Sequence, residues 1–329
     1  MSILVTGSAG FIGFHVSKEL LELGEQVIGL DNINEYYSQD LKWMRNNILE
    51  KYENFTFFHK DICDEKSLQK IFNKNNIEKI CHLAAQAGVR YSIENPLQYQ
   101  RSNLEGFTNI LEMARKFNIE NLVFASSSSV YGGNNKVPFS VDDNINRPVS
   151  FYAATKVANE IMAYSYHHLH NIPMTGLRFF TVYGPWGRPD MAYYIFTDKI
   201  FRGESIDVYN HGDMKRDFTY IDDIVEGVIL SINKKFNFEI FNLGNNTPVN
   251  LLDFVNILEE KIGKRVEKKM LPLQPGDMKV TFADISKSQK LLGFNPKIDI
   301  NEGIRRFVEW YNNYYHLSIN KEECELDVY

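Results

Sequence analysis

Tyr152 and Lys156 are the pair of residues in this sequence best suited to moving a proton. They lie four residues apart in a segment whose apolar residues follow helical spacing. Residues four apart share one face of a helix, so the lysine ammonium can lower the pKa of the tyrosine phenol by its charge. Taken alone, such a pair is more typical of a solvated helix surface, and a catalytic interpretation depends on the other motifs.

A glycine-rich segment near the N-terminus has the composition of a phosphate-binding turn. It reads Thr6-Gly7-Ser8-Ala9-Gly10-Phe11-Ile12-Gly13, after a predicted strand and before a predicted helix. Such glycines permit a tight turn, close approach of backbone to a pyrophosphate and close packing of helix on strand, and the helix N-terminus favours the phosphate charge. The segment therefore predicts a dinucleotide site, with contacts from Gly7, Ala9, Gly10, Phe11, Ile12 and Gly13.

Asp31 indicates which dinucleotide is bound. It ends the second predicted strand, about 20 residues after the last glycine, where a carboxylate can bind both ribose hydroxyls and repel a 2′-phosphate. We therefore expect NAD rather than NADP. Asp61 and Ile62, which follow the third predicted strand, suit a contact to the adenine.

The elements that must position these residues alternate between strand and helix in the first half of the chain. Six short apolar runs predict strands, at Ile3–Thr6, Gln26–Leu30, Phe55–His59, Ile80–Leu83, Leu122–Ala125 and Thr175–Phe179. Four segments have helical spacing, at Phe14–Leu23, Ser67–Asn75, Asn103–Phe117 and Tyr152–His170. This α/β alternation predicts a Rossmann-type doubly wound parallel sheet, which binds ligands at the carboxyl ends of its strands.

Beyond about residue 180 the alternation loosens, which predicts a smaller lobe of mixed α/β structure. Helical segments at Met191–Arg202, Asp223–Ile232, Leu251–Ile262, Ile285–Leu292 and Asn301–Tyr315 alternate with short strands at Phe238–Leu243 and Val266–Leu271. The turn-rich segment Pro185–Pro189 marks the boundary. We expect an NAD-binding domain at residues 1–181, to which later segments can return, a mainly substrate-binding lobe at 182–319 and an acidic tail at 320–329.

Composition and charge argue against several classes of protein. The 329 residues are 44% hydrophobic and 24% charged, which is ordinary for a globular protein. The 36 basic residues do not outnumber the 42 acidic ones, so nucleic acid is not expected as a partner. There is no apolar run long enough to span a bilayer and no signal peptide, so we expect no membrane partner and a cytoplasmic location.

No metal site is expected. Cys63, Cys81 and Cys324 are widely spaced and form no C-x-x-C pair, so they are interpreted as inert thiols in a reducing compartment. The cluster His167, His168 and His170 has no acidic or cysteine partner in its pattern and is more typical of a solvated helix face. The aromatic residues Trp310, Tyr311, Tyr314 and Tyr315 are interpreted as packing for a terminal helix.

In combination, the motifs resemble the extended short-chain dehydrogenase/reductase family. They are the glycine spacing, the run Ser126–Gly132 and the segment Tyr152–Lys156, and the resemblance extends to about Leu317. It implies a catalytic set of Ser127, Tyr152 and Lys156, with Ser126 and Ser128 able to assist. Tyr152 is then the general base while a hydride leaves the substrate for nicotinamide. It also implies cofactor contacts from Leu83, Ala84, Ala85, Tyr152 and Lys156, and support of the Tyr and Lys by Asn103.

The residues just before Val130 distinguish reactions within this family. Related nucleotide-sugar dehydratases carry an Asp-Glu pair there and decarboxylases a Glu, whereas this chain has Ser128 and Ser129. Oxidation and re-reduction at one carbon, which is epimerisation, needs no additional acid. The segments Ala84–Arg90, Arg178–Pro185 and Arg188–Ala192 are most similar to those of UDP-glucuronate 4-epimerases. The resemblance thus implies an isomerase that interconverts UDP-glucuronate and UDP-galacturonate through a 4-keto intermediate.

The resemblance also implies which residues contact the UDP-sugar. Thr181 replaces an Asn of galactose 4-epimerases, and Arg188 is the candidate clamp for a sugar carboxylate. Arg216 is expected at the diphosphate and Asp277 at the uridine ribose, and Gln274 stands where many relatives have an arginine. The full set of expected contacts is Arg90, Thr181, Arg188, Arg216, Gln274 and Asp277. A homodimer paired through Asn103–Phe117 and Tyr152–His170 is a further implication.

Three other functions stay open on the sequence. One is epimerisation of another UDP-hexose, and the second is dehydration or decarboxylation of a related nucleotide sugar. The third is a non-catalytic NAD sensor or interaction module, since the fold alone does not imply catalysis. The intact set of Ser127, Tyr152 and Lys156 argues against the third.

Overall fold

A seven-stranded sheet organises the computed structural model, which describes residues 1–273 and 278–326, with side chains through Tyr315. The strand order is β10-β6-β5-β4-β1-β2-β3, and every neighbouring pair is parallel. The strands of the chain are β1 (Ser2–Thr6), β2 (Gln26–Asp31), β3 (Phe55–His59), β4 (Lys79–His82), β5 (Asn121–Ser127), β6 (Met174–Phe179), β7 (Thr181–Tyr183), β8 (Ile206–Val208), β9 (Lys215–Tyr220), β10 (Phe238–Leu243), β11 (Pro248–Asn250), β12 (Lys268–Met270) and β13 (Val280–Thr281).

Helices cover both faces of this sheet. The α-helices of the chain are α1 (Phe11–Glu22), α2 (Gln39–Leu49), α3 (Glu65–Lys74), α4 (Tyr91–Glu94), α5 (Pro96–Tyr99), α6 (Gly106–Lys116), α7 (Phe151–His170), α8 (Ala192–Arg202), α9 (Ile221–Asn233), α10 (Leu251–Ile262) and α11 (Ile300–Leu326). Successive residues of a strand point to opposite faces. Accordingly, Val5 packs in one core with Phe14 of α1 and Val228 of α9, whereas Leu4 packs in the other with Leu68 of α3 and Ile110 of α6. The predicted doubly wound α/β sheet is confirmed.

The chain returns to this sheet after it has entered the second lobe. Strand β10 lies parallel to β6 at the sheet edge, with Phe238 opposite Met174. The remaining strands form smaller assemblies, in which β7, β11 and β13 flank β9, and β12 pairs with β8. The strand predicted at Phe238–Leu243 therefore belongs to the central sheet. Helix α9 likewise packs against α1, in the core on one face of this sheet.

Two local features refine the sequence prediction. Helix α2 was not predicted, because its buried face carries Lys42, Arg45 and Asn46 in addition to apolar residues. The terminal aromatic residues pack as expected, since the Trp310 ring lies 5.4 Å from that of Trp186 and the Tyr311 ring lies 5.3 Å from that of Tyr194. The backbone of the predicted acidic tail continues α11 to Leu326, and residues 327–329 lie outside the described part.

Within the described residues, no helix combines the length and the apolar character needed to cross a membrane. The same residues contain no group of three or more His, Cys, Asp or Glu side chains placed to hold a metal ion.

A buried ion pair joins α7 to the central sheet. The guanidinium of Arg178 on β6 donates to Glu160 through Nε at 2.9 Å and Nη2 at 2.8 Å, and both side chains are less than a tenth exposed. Burial lowers the pKa of Arg178, but the hydrogen bonds and charge of Glu160 outweigh burial and the pKa rises. Arg178 also donates to the hydroxyl of Tyr131, which donates to Asn242 of β10. The network thus ties together α7, β6 and β10.

Replacing Glu160 by Gln should destabilise the protein by about 3–5 kcal/mol, because it leaves the buried Arg178 charge without a counterion. The measurement is the free energy of unfolding in urea. The matched control is Glu226→Gln, whose exposed pair with Lys297 should contribute at most about 1 kcal/mol. Equal effects of the two substitutions would contradict a structural role for the buried pair.

Candidate active site

The glycine-rich loop forms a cradle at the carboxyl edge of the sheet, between β1 and α1. Gly7 has a φ of +73°, and a Cβ there would lie 2.8 Å from the backbone nitrogen of Ala84. A Cβ on Gly13 would lie 2.0 Å from the Gly7 carbonyl oxygen. Helix α1 begins after Gly10 without a side-chain cap, so the N–H groups of its first turn are available to an anion. The geometry fits a pyrophosphate, as the sequence predicts.

Asp31 lies at the end of β2 beside this loop and is buried. Its Oδ2 accepts a hydrogen bond from the backbone N–H of Ala9 at 3.1 Å, and its Oδ1 accepts one from Ile33 at 2.8 Å. Burial raises the pKa of Asp31, and these two bonds and the charge of Lys42 oppose the rise. Each carboxylate oxygen can accept further hydrogen bonds, so the group fits a ribose diol.

The other predicted cofactor contacts line the same edge. Asp61 accepts hydrogen bonds from the side chain of Asn32 at 3.3 Å and the backbone of Cys63 at 2.8 Å, and Ile62 is buried against Gly106. Leu83 and Ala84 are hydrogen-bonded to Thr6 at the end of β1. Ala85 continues the same segment and is partly exposed. The chain therefore brings the ends of four neighbouring strands to one site.

Ser127, Tyr152 and Lys156 converge where β5 ends. Ser127 is the last residue of β5, and Tyr152 and Lys156 lie on the first turns of α7. The Ser127 hydroxyl favours the phenolate form of the neighbouring Tyr152 and so opposes a rise in its pKa. The Lys156 ammonium is buried and donates to the backbone carbonyl of Ala125 at 2.9 Å. Helix α7 is capped by Ser150, whose Oγ accepts from the Ala153 N–H, and this cap fixes where Tyr152 enters the site.

The direction of the Tyr152 pKa differs from the sequence expectation. Burial raises the pKa of Tyr152, while the hydrogen bond with Ser127 and the positive charge of Arg188 oppose the rise. Burial lowers the pKa of Lys156 to about 8, against the charge of Glu160. Arg188 is thus a cation that favours the phenolate in this geometry.

The neighbouring serines are not equivalent. Ser126 donates to the buried Glu160 carboxylate at 2.5 Å, so its hydroxyl belongs to the ion-pair network rather than to the catalytic cluster. Its side chain points to the opposite face of β5 from that of Ser127, as the alternation along a strand requires. Ser128 is partly exposed in the turn that follows Ser127.

Asn103 lies behind the tyrosine and lysine, in the position expected for support. Its amide donates to the Gln86 carbonyl at 3.0 Å and to the Thr155 hydroxyl at 3.0 Å, and its Oδ1 accepts from the Gln86 N–H. The side chain thus ties the segment after β4 to the helix that carries Tyr152 and Lys156.

Arg188 lies close to Tyr152 and is held by an acidic neighbour that the sequence analysis did not consider. It donates to Asp190 through Nε at 3.0 Å and Nη2 at 2.5 Å. The Tyr36 hydroxyl donates to the same carboxylate at 3.0 Å, and the Arg188 guanidinium lies 5.9 Å from the Tyr36 ring centroid. Thr181 begins β7 opposite Phe218 of β9. A ligand carboxylate at Arg188 would therefore share the guanidinium with Asp190.

The remaining predicted substrate contacts come from separate parts of the chain. Arg90 is exposed, with its guanidinium 5.1 Å from the ring centroid of Tyr209. Arg216 lies on β9 and donates to the backbone carbonyls of Lys215 and Lys279. Gln274 and Asp277 lie outside the described residues.

Arg45 is the main residue that sequence reasoning missed. It is fully buried on α2 and donates to the carbonyl of Ala9 in the glycine-rich loop at 2.9 Å. The signal was present, because Leu41, Arg45 and Leu49 follow at four-residue intervals and all are buried. A charged residue in an apolar helical stripe indicates a specific partner.

Comparisons with known proteins place the chain in a family. The family model described as GDP-mannose 4,6 dehydratase matches residues 4–307. Protein CapI of Staphylococcus aureus is 51% identical, over 96% of this chain and 99% of its own length. UDP-glucuronate 4-epimerase 4 of Arabidopsis thaliana is 47% identical, over 96% of this chain and 76% of its own length.

A solved structure gives the same result for the fold. The crystal structure of UDP-glucuronic acid 4-epimerase from Bacillus cereus, in complex with UDP-glucuronic acid and NAD, superposes with a TM-score of 0.89 and 34% identity. The match covers 96% of this chain and 100% of that one. With its glycine cradle and its serine, tyrosine and lysine cluster, this chain belongs to the extended short-chain dehydrogenase/reductase family that the GDP-mannose 4,6 dehydratase model describes.

Proposed function

We propose that this protein is an NAD-dependent 4-epimerase that interconverts UDP-glucuronate and UDP-galacturonate. The observation that carries the proposal is the arrangement at the end of β5, where Ser127 ends the strand and Lys156, one helical turn after Tyr152, donates to the Ala125 carbonyl at 2.9 Å. The charge of Arg188 acts on the Tyr152 phenol in addition. A proton-transfer group beside a cation suits a sugar that bears both a reacting hydroxyl and a carboxylate. The relatives named as UDP-glucuronate 4-epimerases support the same substrate.

The cofactor would be held by the glycine cradle and Asp31. The α1 N-terminus would bind the pyrophosphate, Asp31 the adenosine ribose, and Asp61 and Ile62 the adenine. NAD bound there supplies a hydride acceptor for carbon 4 of the sugar and gives the hydride back to the opposite face. The backbone N–H groups of Ala9 and Ile33 stabilise the charged form of Asp31, and a 2′-phosphate would have to approach that carboxylate.

The protein's own task at carbon 4 is to hold and move one proton. The Tyr152 phenolate oxygen would accept the proton of the 4-hydroxyl, and the Ser127 hydroxyl would keep the two oxygens in line. When the 4-keto sugar has turned, Tyr152 would return the proton to the new alcohol. Lys156 stays behind this pair, fixed on the Ala125 carbonyl, and keeps a positive charge near the site.

The dehydratase and decarboxylase alternatives need a further acid that this turn does not supply. Ser128 and Ser129 occupy the turn after Ser127, and Glu160, a nearby acid, is paired with Arg178. Its carboxylate lies on the Ser126 side of β5 and accepts that hydroxyl. Epimerisation therefore remains the reaction that fits the groups present.

Arg188 would hold the sugar carboxylate, with Thr181 as a hydroxyl or backbone donor. Oxidation of a uronic acid at carbon 4 gives a β-keto acid, which loses carbon dioxide when the carboxylate bond aligns with the ketone. A guanidinium that fixes the carboxylate plane would oppose this loss. At the other end of the substrate, Arg216 remains the proposed diphosphate contact, and Arg90 remains a proposed substrate contact. Gln274 and Asp277 remain predictions, as does a cytoplasmic location.

Tyr152→Phe should lower kcat by at least about 100-fold, because it removes the proton acceptor and changes little volume. Product formation from UDP-glucuronate is measured by NMR, and bound NAD by its release on denaturation. NAD should stay bound. Tyr164→Phe, on the exposed face of the same helix, is the matched control and should retain activity. Near-normal turnover by Tyr152→Phe would exclude the proposed base.

Arg188→Ala should weaken UDP-glucuronate binding by about 1.5–3 kcal/mol, the range of a charged hydrogen bond, and should release some UDP-pentose. Calorimetry measures the affinity and mass spectrometry detects the pentose. Arg202→Ala, which removes an exposed arginine on α8, is the control. Normal handling of UDP-glucuronate by Arg188→Ala, or preference of the wild type for UDP-glucose, would refute the uronate assignment.

We also propose a homodimer that pairs through α7 and the helices beside it. Ile161 and Leu169 of α7 are 64% and 65% exposed, and Ile93 and Leu97 on the adjoining short helices are 63% and 77% exposed. An apolar surface of this extent is typical of an interface.

Ile161→Glu should shift the protein toward a monomer in sedimentation equilibrium, because a carboxylate opposes burial at the interface. Leu23→Glu, an exposed leucine after α1, is the control. A wild-type monomer, or a dimer unchanged by Ile161→Glu, would rule out this surface.

A further inference from the structure

The loop that presents Arg188 has an unfavourable backbone conformation. Between β7 and α8 it contains Gly184 with a φ of +145° and Trp186 with a φ of +58°. A bulky residue in the left-handed region costs on the order of 1–3 kcal/mol and persists only where its surroundings hold it. Some contact must therefore fix the backbone immediately before Arg188.

Arg45 makes that contact from the opposite half of the molecule. Its Nη2 donates to the carbonyls of Trp186 at 2.6 Å and Gly187 at 3.0 Å, which lie 141 and 142 residues away in the sequence. Its Nη1 donates to the Ala9 carbonyl at 2.9 Å and the Tyr37 hydroxyl at 2.8 Å. One guanidinium therefore holds both the cofactor loop and the loop before Arg188.

The charge of Arg45 is not explained by an ion pair. Its partners are carbonyls and a phenol, and no carboxylate of the described residues lies within ion-pair distance of it. The Nε atom of Arg45 is buried and has no hydrogen-bond partner among the described residues. The Asp31 carboxylate attracts this charge through space, without a contact ion pair. Burying a guanidinium without such a pair is costly to the fold, so overall stability alone does not account for an arginine here.

A second contact joins the same two parts. His15 on α1 donates from Nε2 to the carbonyl of Pro185 at 2.9 Å. Burial lowers the pKa of His15 to about 4, so the ring is neutral near pH 7 and its bond to the carbonyl is maintained. Both cofactor-side helices, α1 and α2, thus hold the backbone of residues 185–187.

We propose that Arg45 is a positioning residue, which orients Arg188 through the Trp186 and Gly187 carbonyls and thereby links the cofactor loop to recognition of the acidic sugar. This inference rests on the proposed function, because it assigns the sugar carboxylate to Arg188. The hydrogen bonds of Arg45 go to Ala9, Tyr37, Trp186 and Gly187, so its effect on Arg188 is indirect.

The test compares the affinities for UDP-glucuronate and for UDP, which lacks the acidic sugar. In the Tyr152→Phe holoenzyme, which leaves the substrate unconverted, calorimetry gives Kd for UDP-glucuronate and for UDP. Arg45→Met, which removes the donors and keeps a similar length, should raise Kd for UDP-glucuronate about tenfold, the scale of one charged hydrogen bond, and leave Kd for UDP nearly unchanged. Lys51→Met is the matched control, since this lysine lies just after α2 with its side chain exposed and should leave the ratio of the two Kd values unchanged.

A double variant tests whether the effect passes through Arg188. Arg45→Met combined with Arg188→Ala should bind UDP-glucuronate no more weakly than Arg188→Ala alone. Equal weakening of both ligands by Arg45→Met, or multiplication of the two losses in the double variant, would overturn the proposal.

If Arg45→Met does not fold, His15→Phe provides a second test of the same loop. It removes one donor to the same loop and retains an aromatic ring, so it should raise Kd for UDP-glucuronate selectively, by about two- to threefold for one neutral hydrogen bond. An unchanged ratio in His15→Phe would then overturn the proposal. Turnover of UDP-glucuronate by the wild type tests the proposed function separately, because the affinity ratio is measured without catalysis.

Discussion

The rotation of α7 against the central sheet is the constraint on which the site depends. Tyr152, Lys156 and Glu160 follow at four-residue intervals on one face of this helix. Glu160 is fixed by two hydrogen bonds from Arg178 of β6, and Lys156 by the Ala125 carbonyl of β5. Because a helix turns by about 100° per residue, a shift of one position would move the phenol away from the end of β5. The buried ion pair thus determines where Tyr152, the proposed proton acceptor, lies.

Burial disfavours the charged forms of both Tyr152 and Lys156, and neighbouring charges partly oppose this effect of burial. It raises the pKa of Tyr152 and lowers that of Lys156 to about 8. Arg188 favours the phenolate and Glu160 favours the ammonium. A substrate carboxylate at Arg188 would reduce the first of these effects, so substrate binding and the ionisation of Tyr152 are coupled through one arginine. The pair of Arg188 with Asp190 already moderates that charge before a ligand arrives.

The sequence predicted those features that depend on local order, and missed those that depend on distant segments. Continuous apolar runs identified the first six strands of the central sheet, and glycine spacing with Asp31 identified the cradle. Helix α2 was missed because Lys42 and Arg45 interrupt its apolar stripe with charge. The role of Ser126 could not be predicted, since its partner Glu160 lies 34 residues away and is brought close only by the packing of α7. The same holds for the Arg188 and Asp190 pair with Tyr36, which joins residues 154 positions apart.

The two ligand sites share more than an edge of the sheet. Hydride transfer requires that the reacting atoms of the cofactor and the sugar be held precisely relative to each other. Different segments of the chain hold the two molecules, so those segments must themselves be fixed relative to each other. A sheet positions its own strand ends well, but Arg188 lies on a loop that leaves the sheet after β7. The positions of the backbone carbonyls of that loop and of the glycine-rich turn do not depend on side-chain rotation. A guanidinium with donors in one plane can hold several such carbonyls at fixed separations, which a flexible ammonium cannot do. The geometry of this site therefore favours an arginine at position 45, despite the cost of burying its charge.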